Sequence, residues 1–248
     1  MDRQVTCIRG RTSDRTAGAG AGAQALAERL GGRVVGEPGE PAVRDWSEDL
    51  PAARPVLEAA AAAVREAFDA GALPVLTASD CSICIATLPE VVLREPDVHV
   101  AWIDAHGDFN TPDTTPSGFL GGMCLAASCG RWDADGWVGG DGVLDPARVH
   151  MLGVRDLDPG EEREVEAAGV SAEVPDGVPL YVHLDTDVLD PTVMAAQFPV
   201  PDGWDARRLR AQLVELAAGC RIVGVEITAL EDVGAVELVA EAIGPLLD

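Results

Sequence analysis

Two short acidic patterns carry the chemistry this chain could do. Asp104-Ala105-His106-Gly107-Asp108 follows the apolar run VHVAWI, and Asp185-Thr186-Asp187 follows YVHL. Alternate residues of an extended chain point the same way, so Asp104, His106 and Asp108 can share one side, as can Asp185 and Asp187. Four carboxylates and an imidazole gathered at one edge of a sheet cannot all stay ionised without cations among them. Hard oxygen donors with some imidazole suit Mn²⁺ or a similar divalent ion, and this many carboxylates suggests a two-metal site. Such a site generates a hydroxide nucleophile at neutral pH. The plainer reading makes these turn and cap aspartates. Two such patterns, each behind a buried strand, argue against it.

These side chains converge only if several strands end at the same edge. Candidate strands span Val5–Ile8, Arg33–Val35, Leu73–Thr77, Val98–Ile103, Val149–Gly153, Leu180–Leu184 and Ile222–Ile227. Helix-like stretches between them cover Ala21–Leu30, Pro55–Ala70, Ser82–Leu93, Pro159–Ala168, Asp205–Ala218 and Ala235–Leu247. Pro55 and Pro159 read as first-turn prolines, and Gly31, Gly71, Gly169 and Gly219 as C-terminal caps. Runs such as VHVAWI and RIVGVEI are apolar at nearly every position, which fits burial on both faces. The alternation predicts an α/β fold, a parallel β-sheet flanked by helices in three layers, as one domain over residues 1–248. Ligands of such sheets bind beyond the carboxyl ends of the strands, where both acidic patterns fall. Gly10–Gly22 reads as a mobile surface loop, because its G-x-G-x-G spacing and its distance from the strand end do not fit a nucleotide-binding turn. The long Asp104–Gly122 loop, directly after a buried strand, reads as functional.

Composition bounds the partners. The 248 residues carry 42 Asp and Glu against 18 cations, all arginine, for a formal charge of −24. Such a chain repels nucleic acid and anionic lipid. With 47% hydrophobic and 24% charged residues it can bury a full core, and the 4% of aromatics makes that core aliphatic. No apolar run approaches the roughly 20 residues of a membrane span, and MDRQVTCIRGRTSDR has no apolar segment of the secretory kind. Six scattered cysteines in a chain this long read as free thiols in a reducing compartment, so the cytoplasm is the expected location. Whether copies of the chain associate is left open.

Four segments in combination resemble the ureohydrolases, the family of arginase and agmatinase: Ile103–Gly118 (IDAHGDFNTPDTTPSG), Gly153–Glu161 (GVRDLDPGE), His183–Pro191 (HLDTDVLDP) and Val223–Ile227 (VGVEI). The likeness runs from about residue 73 to the C-terminus. It implies an arginase-like sandwich holding a bridged Mn²⁺ pair, with Asp104 and Asp185 as bridges, Asp108 completing one site, and His106 and Asp187 the other. By the same likeness Asp108 and Glu226 belong to the catalytic set. Glu226 would hold a substrate guanidinium while a hydroxide attacks its carbon.

Two departures from the family pattern bear on activity. The family's first metal ligand is a histidine in Gly-Gly-Asp-His-Ser, and here Ala78-Ser79-Asp80-Cys81-Ser82 puts Cys81 in its place. A thiolate can ligate, but it is soft for Mn²⁺, so one of the two metals is expected to be weakly held. Cys84, three residues on, reads as a core thiol. The family's proton-shuttling histidine falls at Gly121 in Ser117-Gly118-Phe119-Leu120-Gly121-Gly122. His99, His150 and His183 lie in or beside strands and read as core or surface residues rather than replacements.

Without that shuttle a strongly basic alkylguanidinium should turn over poorly, whereas a less basic N-hydroxyguanidine depends less on the proton. Asn110, Thr115 and Ser117 match positions where arginases bind the α-carboxylate, and Asp158 matches the one that recognises the α-amino group. The resemblance therefore implies a small amino-acid substrate. Its hydroxyarginine-cleaving branch, found in cycloserine-type antibiotic pathways, shares the cysteine and the missing shuttle. That points to Nω-hydroxy-L-arginine, with L-ornithine and hydroxyurea as products. A plain arginase or other guanidino-acid hydrolase is the alternative, and a non-catalytic scaffold the weaker one.

Overall fold

The structure, a computed structural model, describes residues 2–247. Its strands are β1 (Arg3–Ile8), β2 (Arg33–Val35), β3 (Leu73–Ala78), β4 (His99–Ile103), β5 (Val149–Leu152), β6 (Pro179–Asp185) and β7 (Arg221–Thr228). All pair in parallel, in the order β2-β1-β3-β7-β6-β4-β5. Its helices are α1 (Gly18–Arg29), α2 (Trp46–Asp69), α3 (Cys84–Arg94), α4 (Cys124–Ser128), α5 (Pro159–Ala168), α6 (Ala206–Gly219) and α7 (Val236–Leu247). The α/β three-layer architecture is as the alternation predicts, because parallel strands need crossovers that cover both faces.

Each face has its own apolar core. On one, Leu57, Ala60 and Val64 of α2 and Ile85 and Leu88 of α3 close over Leu76, Val100 and Trp102. On the other, Leu26 of α1, Leu209 and Leu213 of α6 and Val239 and Ile243 of α7 close over Val75, Ala101, Val182 and Val225. Aliphatic side chains dominate both, as the composition requires.

Three local expectations are corrected. Helix α2 begins at Trp46 rather than Pro55, with Asp45 Oδ1 accepting from Ser47 N at 3.0 Å as its cap. Pro51 and Pro55 lie inside it. Each forfeits one backbone hydrogen bond, but the buried stripe of Leu50, Ala53, Leu57 and Ala60 outweighs that loss. Gly31, Gly71 and Gly169 do turn left-handed after their helices, at φ +76°, +67° and +76°. Gly219 does not: it ends α6, and the chain leaves through extended Cys220.

The Gly10–Gly22 stretch is no mobile surface loop. Thr12, Ser13 and Asp14 are buried, and Gly18, Gly20 and Gly22 lie within α1. A Cβ at Gly22 would stand 1.8 Å from the Leu230 carbonyl oxygen, so glycine there lets α1 lie against the chain leaving β7. That contact positions one wall of the site.

Candidate metal centre

Register decides which side chains meet. Trp102, His183 and Glu226 lie side by side on β4, β6 and β7, and Asp185 stands opposite Thr228 one pleat further on. With alternate residues sharing a face, Asp104 and Asp185 emerge above the Trp102–His183–Glu226 row, at the carboxyl edge. Cys81 arrives from the turn after β3, where Asp80 Oδ1 accepts from Ser82 N at 2.9 Å and fixes the turn. The chain after β4 carries His106 and Asp108. Asp108 adopts φ +50°, held there as its carbonyl accepts from Leu125 N and Ala126 N of α4.

The predicted ligands converge. His106 Nδ1 lies 3.1 Å from Asp187 Oδ2 and 3.4 Å from Asp104 Oδ1. The Cys81 thiol donates to Asp185 Oδ2 at 2.8 Å, and Asp187 N donates to Asp185 Oδ1 at 2.7 Å. Cys81, Asp104, His106, Asp108, Asp185 and Asp187 all line one cleft of about 290 Å³, a size suited to a small ligand. Asp104, Asp108, Asp185 and Asp187 are buried.

Packing these charges together shifts them strongly. Burial first, then repulsion from Asp187, pushes the Asp185 carboxyl up to about 7. Burial and then Asp104 raise both Asp108 and Asp187. Burial would lower His106, but Asp104 and Asp187 overcome it and push the imidazole up to about 12. Burial, reinforced by Asp185, Asp108 and Asp104, raises the Cys81 thiol. The clustered carboxylates seek positive charge here, and the buried Asp104 Oδ2 has no hydrogen-bond partner. Two triplets, Cys81–Asp104–His183 and Asp104–His106–Asp187, place one donor atom each within 4.8 Å of the others. The donor set therefore fits divalent metal, and both triplets include Asp104.

The outer cleft is polar on one side. Asn110 Nδ2 donates to Asp158 Oδ2 at 3.1 Å, and Asn110, Ser117 and Asp158 line the wall with Asp156 and Glu161. Thr115 stands apart from them: its hydroxyl accepts from Gly118 N at 3.1 Å, which closes its own turn beside the cleft wall. Glu161 was not singled out by its residue type. It caps α5 and accepts from Phe109 N at 2.8 Å, and burial pushes it up to about 7. Its place in RDLDPGE, with the Asp158 capping-box spacing, was the available signal.

Two buried residues close the inner end. Glu226 is fully buried and lies beneath the residues that line the cleft. Its oxygens are taken: Oε2 accepts from Thr87 Oγ1 at 2.7 Å and from Tyr181 OH at 3.2 Å, and Oε1 pairs with His183 Nδ1 at 2.8 Å. His183 is a buried residue of the sheet, as expected, and its Nε2 lies 3.3 Å from Cys81 Sγ. Cys84 is a buried thiol, as expected. At the mouth, Phe119 and Phe198 pack edge to face at 4.9 Å with the Arg15 guanidinium 4.8 Å over Phe119. A Cβ at Gly121 would meet the Phe119 ring at 2.5 Å.

A carboxylate-rich cleft at the carboxyl edge of an all-parallel sheet defines an α/β enzyme of the kind that binds its ligand beyond the strand ends. The family model described as Arginase family matches residues 42–232. The chain belongs to that family, and it is an amidinohydrolase. It is 40% identical to the N(omega)-hydroxy-L-arginine amidinohydrolase of Streptomyces lavendulae, over 96% of this chain and 92% of that one. An arginase from Bacillus caldovelox is 41% identical over 46% of this chain and 38% of its own length. The native structure of that organism's arginase superposes with a TM-score of 0.83 at 27% identity, covering 100% of this chain and 98% of that one. Among the described residues no helix is long and apolar enough to cross a membrane.

Proposed function

We propose that this chain is a manganese-dependent hydrolase of Nω-hydroxy-L-arginine, releasing L-ornithine and hydroxyurea in the cytoplasm. Water adds to the guanidine carbon, the bond from that carbon to the side-chain nitrogen breaks, and the departing amine gains a proton. A bound divalent pair supplies an activated water at neutral pH. Cys81, Asp104, His106, Asp108, Asp185 and Asp187 hold the metals. Asp158 and Asn110 orient the amino-acid end, with Ser117 beside them. An α-amino acid held there would direct its guanidine-type group toward the inner carboxylates.

The observation that carries the substrate choice is the wall at position 121. Phe119 occupies the space in which a side chain there would begin, so position 121 itself offers no proton-donating group. A less basic N-hydroxyguanidine suits a site without a proton shuttle at that position better than the strongly basic guanidinium of arginine does. Similarity along nearly the whole chain to a protein named for hydroxyarginine supports the same choice. Steady-state rates with both substrates, on one manganese-loaded preparation, test it. Equal or faster turnover of arginine makes the chain a plain arginase instead.

A further inference from the structure

We propose that His183 is itself a metal ligand, oriented by Glu226, and that it supplies the imidazole nitrogen that Cys81 does not. The proposal rests on the divalent-metal reading above and adds to it a ligand outside the acidic patterns.

His183 is fully buried in β6, two residues before Asp185, so the pleat aims both side chains from the same face toward the carboxyl edge. Its ring lies flat against Trp102, with centroids 3.6 Å apart and planes 1° from parallel. Nδ1 faces Glu226 Oε1 at 2.8 Å. Since Glu226 accepts from Thr87 and Tyr181 as well, it stands as an acceptor there, and Nδ1 carries the hydrogen. That leaves the Nε2 lone pair directed at the site. Its neighbours are the Cys81 sulfur at 3.3 Å and Thr228 Oγ1 at 3.5 Å, both weak partners for a buried nitrogen. The same Nε2 falls within 4.8 Å of donor atoms on Cys81 and Asp104.

A histidine that ligates metal almost always gives its other ring N–H to a carboxylate, which fixes its tautomer and aim. Glu226–His183 has that arrangement at the wall where the thiol replaces a nitrogen donor. A core histidine serving only packing needs neither the buried carboxylate nor a lone pair pointed at acids. The nitrogen lost at position 81 is thus returned by the neighbouring strand. Glu226 acts through His183, as a positioning residue.

Calorimetric titration of the apo-protein with Mn²⁺ tests this in the wild type and in His183→Gln and Glu226→Gln. Expected are two binding events in the wild type. His183→Gln weakens one of them on the order of 100-fold and leaves the other in place, and Glu226→Gln weakens the same event by about tenfold. Apo-protein melting temperatures run alongside. A variant that melts earlier yet binds both metals with wild-type affinity shows a structural role only and overturns the proposal. A metal-loaded wild-type crystal gives a second answer that needs no variant: Nε2 within bonding distance of the metal is expected, and Nε2 turned to the sulfur alone overturns it. A wild type that takes up no divalent ion removes the metal reading itself, and this proposal with it.

Discussion

At Gly121 an added side chain would begin 2.5 Å from the Phe119 ring and 3.3 Å from Asp80 Oδ1. Placing histidine there alone should therefore disturb the cleft rather than create a proton donor. Gly121→His is expected to lower hydroxyarginine turnover without raising arginine turnover, whereas Gly121→His with Phe119→Ala should raise the arginine rate relative to either single change. Equal arginine rates in the single and double variants would show that Phe119 is not the obstacle. Asp158 belongs to the other end of the cleft, where it meets Asn110 at 3.1 Å. Asp158→Ala should raise KM about 10-fold, a loss of about 1.4 kcal/mol, with kcat nearly unchanged; a fall in kcat at constant KM would contradict a binding role. The acidic patterns were legible because period alone put them at strand ends, and Cys81 because the family likeness set it at a ligand position. The pairing of His183 with Glu226 was not. Their roles depend on which strands are neighbours, and residues 43 apart in sequence meet only through the β6–β7 register.

Among the elements, α1 shows how far the reading of local signals carries. Its glycines look like a loop, and helix propensity supports that view. What decides otherwise is close approach: Gly22 touches the Leu230 carbonyl, and Gly18 faces Glu231 across the same seam. Glu231 lines the cleft and accepts from the Thr16 hydroxyl, so α1 and the exit of β7 share a wall of the site. Gly20, in the same helix, has nothing within 4 Å of an added Cβ. Gly20→Ala should stabilise the chain by about 0.5–1 kcal/mol, while Gly22→Ala should destabilise it by about 1–3 kcal/mol. Chemical denaturation of the pair checks this, and matching shifts would mean that α1 does not seat against β7 as described. The strands themselves were readable from their continuous apolar runs. The start of α2 was not, because two interior prolines hide a helix that only its buried stripe sustains.

For the whole molecule, the acidic surplus and the site act in the same direction. Asp14, Asp185 and Glu161 sit at about 7 in the folded chain, against ordinary values of 3.8, 3.8 and 4.5, each raised first by burial. Between those limits the folded chain holds more protons than the unfolded one, so stability falls as pH rises from about 4 to 7. Self-repulsion in a chain of formal charge −24 at pH 7 adds to the fall. With chelator present, the melting temperature should decline across that window, and Mn²⁺ should raise it most near pH 7, where the carboxylates are free to ligate. A melting temperature indifferent to Mn²⁺ at pH 7 would count against a metal centre. Most of the negative charge remains a property of the surface, and the proposed chemistry rests on the few buried acids at strand ends. The substrate those acids process is the property to measure. Manganese-loaded enzyme given Nω-hydroxy-L-arginine and L-arginine in parallel should show the larger kcat/KM for the hydroxylated substrate and yield hydroxyurea with L-ornithine; an arginine kcat/KM that equals or exceeds it would contradict the account.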